Sequence, residues 1–258
     1  MNPENAQTKE YLSVSRLKCF LRCPLQFYFK YVEKIPAPID GNLLLGKALH
    51  AAAETNFRQK ISSRKDISRV QILEMFNAAF ESLKQQEEVI LKEDQSFTEL
   101  KVTGLKCTEI LHAELAPAIQ PVFIEQHFTF PLINSQFAGF QGFVDVVDSS
   151  NVVHDIKTAK KSYVESAAQT DLQLIAYNIG CRTFLKEPPR GFAFDVLVKN
   201  KTVKLQTVST PGHTQAQLDR FIKLVHMVEQ AMISKVFYPS ENTMSCSFCS
   251  YKEQCKKW

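Results

Sequence analysis

Residues 142–161, GFVDVVDSSNVVHDIKTAKK, are the segment from which the fold can be inferred. Two runs rich in β-branched residues flank the small polar residues 149–151, so the pattern predicts a β-hairpin. If these three residues form the loop, Asn151 takes the left-handed conformation that asparagine tolerates, and Asp145 lies opposite Asp155. A two-residue loop would place the two acids on opposite faces. The length of the loop therefore decides whether the acids meet.

Lys157 lies two positions beyond Asp155 and shares its face of the strand. Two carboxylates and one lysine on a half-buried hairpin are costly unless they are paired or bind something. Magnesium or manganese is the natural partner, because these hard cations prefer oxygen ligands. The alternative is an ordinary salt bridge, and the hairpin alone does not decide between the two.

The order of apolar patterns along the chain predicts an α/β protein with a single domain, residues 1–258, and a helical insertion at residues 61–120. Its 258 residues are 45% apolar, enough for a large core. Helices are expected through RLKCFLRC and PLQFYFKYVEK, which meet at Cys23, and strands and helices alternate after residue 121. The further helices are expected at 43–60, 68–93, 97–118, 165–185 and 214–234, and the strands at 122–132, 137–148, 151–158, 190–200 and 201–210.

Composition excludes several classes of protein. With eight glycines and no glycine-rich phosphate loop, the chain lacks the nucleotide-binding fingerprints of an ATPase. The polar N-terminus lacks the order of a signal peptide, and no apolar run is long enough to span a bilayer, so a cytoplasmic protein without a membrane partner is expected. The net charge of +4 is compatible with a polyanionic partner but does not establish one.

The C-terminal stretch MSCSFCSYKEQCKKW, residues 244–258, carries Cys246, Cys249 and Cys255. A tetrahedral metal or a cluster needs four ligands, so a fourth must come from elsewhere in the chain. Zinc and an iron–sulfur cluster both remain open at this point. Cys107 and Cys181 fall on predicted helices and are expected to be buried thiols.

Six motifs occur in a characteristic order: SVSRLKCFLRCPLQFYFKYV, GKALHAAAE, GFVDVVD, HDIKT, DLQLIAY and CSFCSYKEQCKKW. This order resembles the RecB-like branch of the PD-(D/E)XK nuclease superfamily. Within that branch it is similar to the iron–sulfur members, such as the CRISPR-associated four-cysteine exonucleases and the AddB-type nuclease domains. The resemblance covers nearly the whole chain except the helical insertion, and it implies a restriction-endonuclease-like core.

The resemblance implies the following roles for residues of this chain. His50, Asp145, Asp155 and the main-chain carbonyl of Ile156 would be ligands of Mg²⁺ or Mn²⁺. Lys157 would position the nucleophilic water. The pair that matches the Q-x3-Y motif would contact DNA or support the active site, and it consists of Gln173 and Tyr177, which lie one helical turn apart.

The resemblance also implies a fourth cluster ligand near the N-terminus. Cys23 in RCPLQFYF matches that position, and Cys19, one helical turn earlier, is the competing candidate. With residues 240–258, Cys23 would then form a cluster-binding clasp that joins the two ends of the chain. A 4Fe-4S cluster is expected there, with Zn²⁺ as the alternative.

The expected function is hydrolysis of DNA phosphodiester bonds, as an exonuclease on single-stranded or end-exposed DNA. One alternative is a non-catalytic DNA-binding or assembly subunit that works with a helicase or an integrase, in a helicase-nuclease or CRISPR adaptation complex. A second alternative is a zinc-stabilised structural protein. A lysine-rich surface is expected to follow the phosphates, although such runs are commonly only solvated: Lys157, Lys160, Lys161, Lys199, Lys201 and Lys204.

Overall fold

The computed structural model describes residues 10–241, 246–247 and 249–258. The strands are β1 Tyr11–Ser13, β2 Ile39–Asp40, β3 Val89–Ile90, β4 Pro121–Phe130, β5 Gly139–Asp148, β6 Val152–Ala159, β7 Gly191–Lys199 and β8 Val203–Thr210. The helices are α1 Val14–Arg22, α2 Pro24–Phe27, α3 Gly41–Ser63, α4 Arg69–Gln86, α5 Phe97–Ile110, α6 Ala167–Thr170, α7 Leu172–Gly180, α8 Gln215–Ile233 and α9 Lys252–Cys255. Wider π-helical turns extend α2 and α5.

Strand β5 is the centre of a mixed six-stranded sheet. Antiparallel β4 covers one edge of β5 along nearly its whole length. The other edge is shared by parallel β1 and antiparallel β6, one at each end of β5. Strand β7 runs parallel to β6, and β8 runs antiparallel to β7. The expected α/β fold with a mixed sheet between helices is confirmed.

Helices cover both faces of the sheet. Helices α1, α7 and α8 pack on one face, which we call the α7 face, over residues such as Phe140 and Val144. Helices α3, α4 and α5 pack on the other, the α3 face, over residues such as Val146, Ile156 and Leu197. None of the helices in the described residues is both long and apolar enough to cross a membrane.

The segment expected as a helical insertion supplies most of the α3 face. Helices α4 and α5 share one buried cluster with α3 and the sheet, so the segment forms part of the core. The expectation of a helix to residue 93 is wrong, because α4 ends at Gln86 and β-branched Val89–Ile90 pairs with β2. Helix α3 is longer than expected and reaches Ser63.

The hairpin of β5 and β6 has the expected three-residue loop. Residues 149–151 connect the strands, and Asn151 adopts a φ of 62°. The carboxylate of Asp148 accepts hydrogen bonds from the main-chain N–H groups of Ser150 (3.0 Å) and Val152 (2.8 Å). These bonds fix the loop length and therefore the register of the two strands.

The helix expected over residues 165–185 is interrupted at Asp171. Helix α6 ends before this residue, and α7 begins after it, because the Asp171 carboxylate accepts a hydrogen bond from the main-chain N–H of Gln173 at 2.7 Å. The same carboxylate pairs with Lys18 of α1 at 2.8 Å. Asp171 thus sets where α7 starts and which of its residues face the sheet.

The loop before α8 is held by His213. Its Nε2 lies 3.2 Å from the carbonyl oxygen of Ala168, and its Nδ1 lies 3.3 Å from the side-chain nitrogen of Asn178. This pairing fits a neutral ring that donates from Nε2 and accepts at Nδ1. Burial lowers the pKa of His213, although the bond to Ala168 acts in the opposite direction.

We predict that His213 makes the fold sensitive to mild acid. Because its folded pKa is lowered, the unfolded chain binds more protons below the ordinary pKa of about 6.5, so its contribution is present above that pH and is lost as the pH falls. Urea unfolding of the wild type and His213→Gln, at about pH 7.5 and about pH 5.5, should show a smaller acid loss in the variant. His127→Gln, at an exposed histidine, serves as the control. Equal losses in wild type and His213→Gln would contradict the assignment.

Candidate active site

The sheet forks in the middle of β5. Strand β6 pairs with β5 only next to the hairpin loop, where Val146 lies opposite His154. Strand β1 pairs with residues 139–141 at the other end of the same edge. Between them, β6 diverges, and Asp145 and Asp155 occupy the first positions past the last pair. The three-residue loop thus places the two acids at one fork, as expected from the sequence.

Asp155 is completely buried, and both of its oxygens have partners. Its Oδ1 accepts a hydrogen bond from the hydroxyl of Tyr177 at 3.0 Å, and its Oδ2 lies 2.5 Å from Nζ of Lys157. Nε2 of Gln173 donates in turn to the Tyr177 hydroxyl at 2.8 Å. The two α7 residues therefore hold the acid, and the acid holds the lysine.

Asp145 contacts both strand β6 and helix α3. Its Oδ2 accepts a hydrogen bond from the main-chain N–H of Ile156 at 2.9 Å. The same oxygen lies 3.6 Å from Nδ1 of His50, which reaches the fork from α3. His50, Asp145 and Ile156 are thus brought together, although they are far apart in sequence.

Glu125 is a member of this site that the sequence reasoning missed. Ile124 lies opposite Val146 and Gln126 opposite Val144, so Glu125 falls opposite Asp145. Ligand atoms of Glu125, Asp145 and His50 all lie within 4.8 Å of one another. An acid in the middle of the apolar run VFIEQHFTF was a signal. Its partner could not be identified because the connection from β4 to β5 does not fix the register.

The side-chain alternation of β4 and β5 reverses at this pair of acids. Val144 packs on the α7 face, whereas Val146, two residues later, packs on the α3 face. In β4, Ile124 packs on the α3 face and Phe128 on the α7 face, although regular alternation would put both on the same one. Glu125 has a φ of 46°, in the left-handed region that rarely holds a glutamate. The two acids occupy the point of reversal, where their ligand atoms lie close to that of His50.

Burial and neighbouring charges alter the acid–base properties of the site. Burial, followed by the charge of Asp145, raises the pKa of Glu125 to about 7. Burial, followed by the charge of Asp155, raises the pKa of Asp145. For Lys157, burial acts to lower the pKa, but the two aspartates outweigh it and the pKa is raised. The site therefore combines a charged ammonium group with acids whose ionised form a bound cation would stabilise.

The donor set fits a divalent cation. Two carboxylates and one imidazole converge from three elements, which suits Mg²⁺ or Mn²⁺ better than a soft metal. The group comprises His50, Glu125 and Asp145, whereas Asp155 turns toward Lys157 and Tyr177. Asp155 was expected beside His50 among the ligands, and this role stays a prediction. In the structure Glu125 lies in the immediate group with His50 and Asp145, and Asp155 pairs with Lys157.

The lysines expected to follow the phosphates are not all equivalent. Lys199 is partly buried, and its Nζ donates to the side-chain oxygen of Asn42 at 3.0 Å, so it belongs to the packing of α3 against β7. The remaining surface lysines are exposed near the carboxyl ends of β6 and β7: Lys160, Lys161, Lys201 and Lys204. This cationic edge lies at the end of β6 that follows Lys157.

The structure brings Cys23 to the C-terminal tail. Cys23 caps the N-terminus of α2 and accepts a hydrogen bond from the N–H of Ser240 at 3.4 Å. Together with the tail cysteines it lines a cavity of about 340 Å³. These cysteines are Cys246, Cys249 and Cys255. The competing candidate, Cys19, is buried in the core of the α7 face.

The ends of the chain are also joined by aromatic packing. The rings of Tyr251 and Phe29 have centroids 5.9 Å apart, and the Tyr251 hydroxyl donates to the carbonyl of Ile35 at 3.1 Å. Burial, followed by the nearby thiols of Cys23 and the other tail cysteines, raises the pKa of Cys255. Cys107 and Cys181 are buried, as expected.

Comparison with known proteins identifies the family. Among curated proteins, none matches the sequence. A solved structure described as a "putative exonuclease" from Eubacterium rectale shares 14% sequence identity with this chain. The match covers 100% of this chain and 92% of that chain, with a TM-score of 0.58. At that identity the likeness concerns the fold alone. The structure of SSO0001 is 12% identical, with 93% of this chain and 94% of that chain covered and a TM-score of 0.37, too low to support an argument.

The sequence model of the PD-(D/E)XK nuclease superfamily matches residues 11–256 of this chain, including both strands of the fork, α3 and the C-terminal cysteines. The chain therefore belongs to the PD-(D/E)XK nuclease superfamily.

Proposed function

We propose that this protein is a metal-dependent deoxyribonuclease of the RecB-like branch, and that it acts as an exonuclease on single-stranded or end-exposed DNA. The observation that carries the proposal is the fork. There the buried Asp155–Lys157 pair lies beside a cation-binding group formed by His50, Glu125 and Asp145. A surface salt bridge alone would not require the second acid, the histidine and a strained glutamate at the same point.

The reaction is attack of water on phosphorus, which breaks the bond to the leaving oxygen. A divalent cation held by the cluster would polarise the phosphate and lower the pKa of the attacking water. Lys157, whose ammonium group pairs with Asp155, would position the attacking water. Tyr177 and Gln173 keep Asp155 in the orientation that pairs with Lys157. Asp155 and the main-chain carbonyl of Ile156 would be further ligands of the cation.

The cationic edge and the seven thiols support the remaining parts of the proposal. Exposed lysines at the ends of β6 and β7 would follow a DNA backbone that enters beside Lys157. The cysteines in the described part of the chain form no disulfide bonds, which fits a reducing compartment. We therefore propose a cytoplasmic location. A helicase or an integrase is the proposed partner class, on the resemblance to helicase-nuclease and CRISPR adaptation proteins.

The rival is a DNA-binding or assembly subunit without activity. An inactive subunit has no need of a fully buried acid paired with a half-buried lysine, and burying a charge in this way costs free energy that packing alone does not recover. Binding and cleavage are separable by experiment.

We predict that Asp155→Asn and Lys157→Ala each reduce cleavage of end-labelled single-stranded DNA, in Mg²⁺ or Mn²⁺, on the order of 10²-fold or more. Gel analysis of the products gives the rate and the polarity. Lys161→Ala, which removes an exposed charge in the same run, should change the rate severalfold at most. Undiminished activity in Asp155→Asn, or DNA binding without cleavage in the wild type, would favour the rival.

We predict that Glu125→Gly separates stability from metal binding. Glycine relieves the left-handed strain, so in EDTA the free energy of unfolding should rise by about 1 kcal/mol. The thermal midpoint should rise with it. The increase in midpoint that MnCl₂ produces in the wild type should shrink, because one ligand is lost. Glu125→Gln removes the charge but keeps the strain, so it should lose the metal effect, and in EDTA it should be less stable than Glu125→Gly, which lacks both the charge and the strain. A full metal effect in both variants would remove Glu125 from the site.

We propose that the four clasp cysteines hold a 4Fe-4S cluster, with Zn²⁺ as the alternative. Among the described residues, no three cysteine sulfurs lie within 4.8 Å of one another. Sulfurs bound at 2.3 Å around one tetrahedral ion are only about 3.8 Å apart. The wider spacing of the cysteine sulfurs and the cavity of about 340 Å³ favour the 4Fe-4S cluster over a single zinc ion. Its role is to fasten the C-terminal tail to α2.

We predict that anaerobically purified protein is brown and holds about four iron atoms per chain. Cys23→Ala and Cys255→Ala should lose the iron and lower the thermal midpoint, whereas Cys19→Ala should keep the iron. Metal analysis and the visible spectrum give the answer. A colourless protein with one zinc ion per chain, or iron lost only in Cys19→Ala, would contradict the assignment.

A further inference from the structure

A cavity of about 370 Å³ opens beside Asp145, and neither the cation nor the lysine accounts for it. Its walls include residues 13–15 at the start of α1, Gln141 and Phe143 of β5, and Gln173 of α7. The volume lies within the roughly 300–1,000 Å³ typical of small-ligand pockets. Because Asp145 forms part of the wall, an occupant of the cavity is in direct contact with the fork.

Phe143 stands exposed at the cavity. Phe143 is 54% exposed, whereas Asp145, two positions away, is only 13% exposed in its side chain. One side of the ring contacts the imidazole of His127, with centroids 4.7 Å apart and planes tilted by 35°. Nε2 of His127 lies 3.2 Å from Oε1 of Gln141. The phenyl ring is therefore supported from behind and presents a free aromatic surface.

The lining of the cavity indicates what would occupy it. No lysine or arginine is among the described residues that form the wall, so the cavity does not suit a phosphate. The amides of Gln141 and Gln173 offer donors and acceptors, and Phe143 offers a stacking surface. This combination matches a nucleobase, whose flat face stacks and whose edge forms hydrogen bonds. The phosphates would instead meet the cationic edge at the ends of β6 and β7.

Only an unpaired base can use this surface. Within a duplex both faces of a base are covered by its neighbours and its edge is paired, so stacking on a side chain requires a single strand or a frayed end. We propose that an unpaired nucleobase of the strand to be cut stacks on Phe143, and that this contact gives the protein its preference for single-stranded DNA. The inference rests on the proposed deoxyribonuclease function and names the residue that selects its substrate.

The test measures binding in EDTA, so that it does not depend on cleavage. Fluorescence anisotropy of the full chain with a labelled single strand of about 12 nucleotides should show affinity about tenfold lower in Phe143→Ala. Phe143→Trp should retain the wild-type affinity, because indole stacks equally well. A blunt duplex should bind all three proteins alike. Ile133→Ala, which truncates another exposed apolar side chain, is the control, and thermal midpoints check that each variant folds.

The outcomes separate this inference from the proposed function. Equal affinity of wild type and Phe143→Ala for the single strand overturns the inference, whether or not the protein cleaves DNA. An equal loss of single-strand and duplex binding overturns it as well, because the ring would then lack selectivity. Tenfold weaker single-strand binding in Phe143→Ala, in a protein that does not cleave, supports the base contact and rejects the nuclease.

Discussion

The structure depends on one backbone constraint, the reversal of side-chain alternation where Glu125 of β4 lies opposite Asp145 of β5. In a regular pair of strands both acids would project to one face of the sheet. With Glu125 in a left-handed conformation, both strands switch faces at the same point, where ligand atoms of the two acids and of His50 all lie within 4.8 Å of one another. Local strain of this kind costs on the order of 1–3 kcal/mol and persists where the surrounding fold imposes it.

The fork draws its side chains from both faces of the sheet. His50 arrives from the α3 face, whereas Tyr177 holds Asp155 from the α7 face. A site open to only one face would not receive both. The layer made by α4 and α5 has a part in this, because it packs against α3 and so fixes the height of His50 above the strands. The segment that lies between the quoted sequence motifs therefore contributes to positioning His50, a candidate metal ligand.

Several features were predictable because they are local. The loop at residues 149–151, the facing of Asp145 and Asp155, and the helical spacing of the Q-x3-Y pair follow from chain geometry over a few residues. Helix ends were predicted less well. Asp171 stops α6 and starts α7 by capping, and Val89–Ile90 leaves the helix because β2 offers a partner that lies far away in sequence.

The hairpin, the order of the motifs and the family to which they point could be predicted from the sequence, because they depend on residue type and short-range spacing. Packing across the sheet was needed to bring Glu125 into the candidate cation-binding group and to turn Asp155 toward Lys157. The tertiary structure also decided between Cys23 and Cys19 as the neighbour of the C-terminal tail. The physical reason is that these contacts join segments whose relative register is set by packing across the sheet, and spacing along the chain carries no information about it.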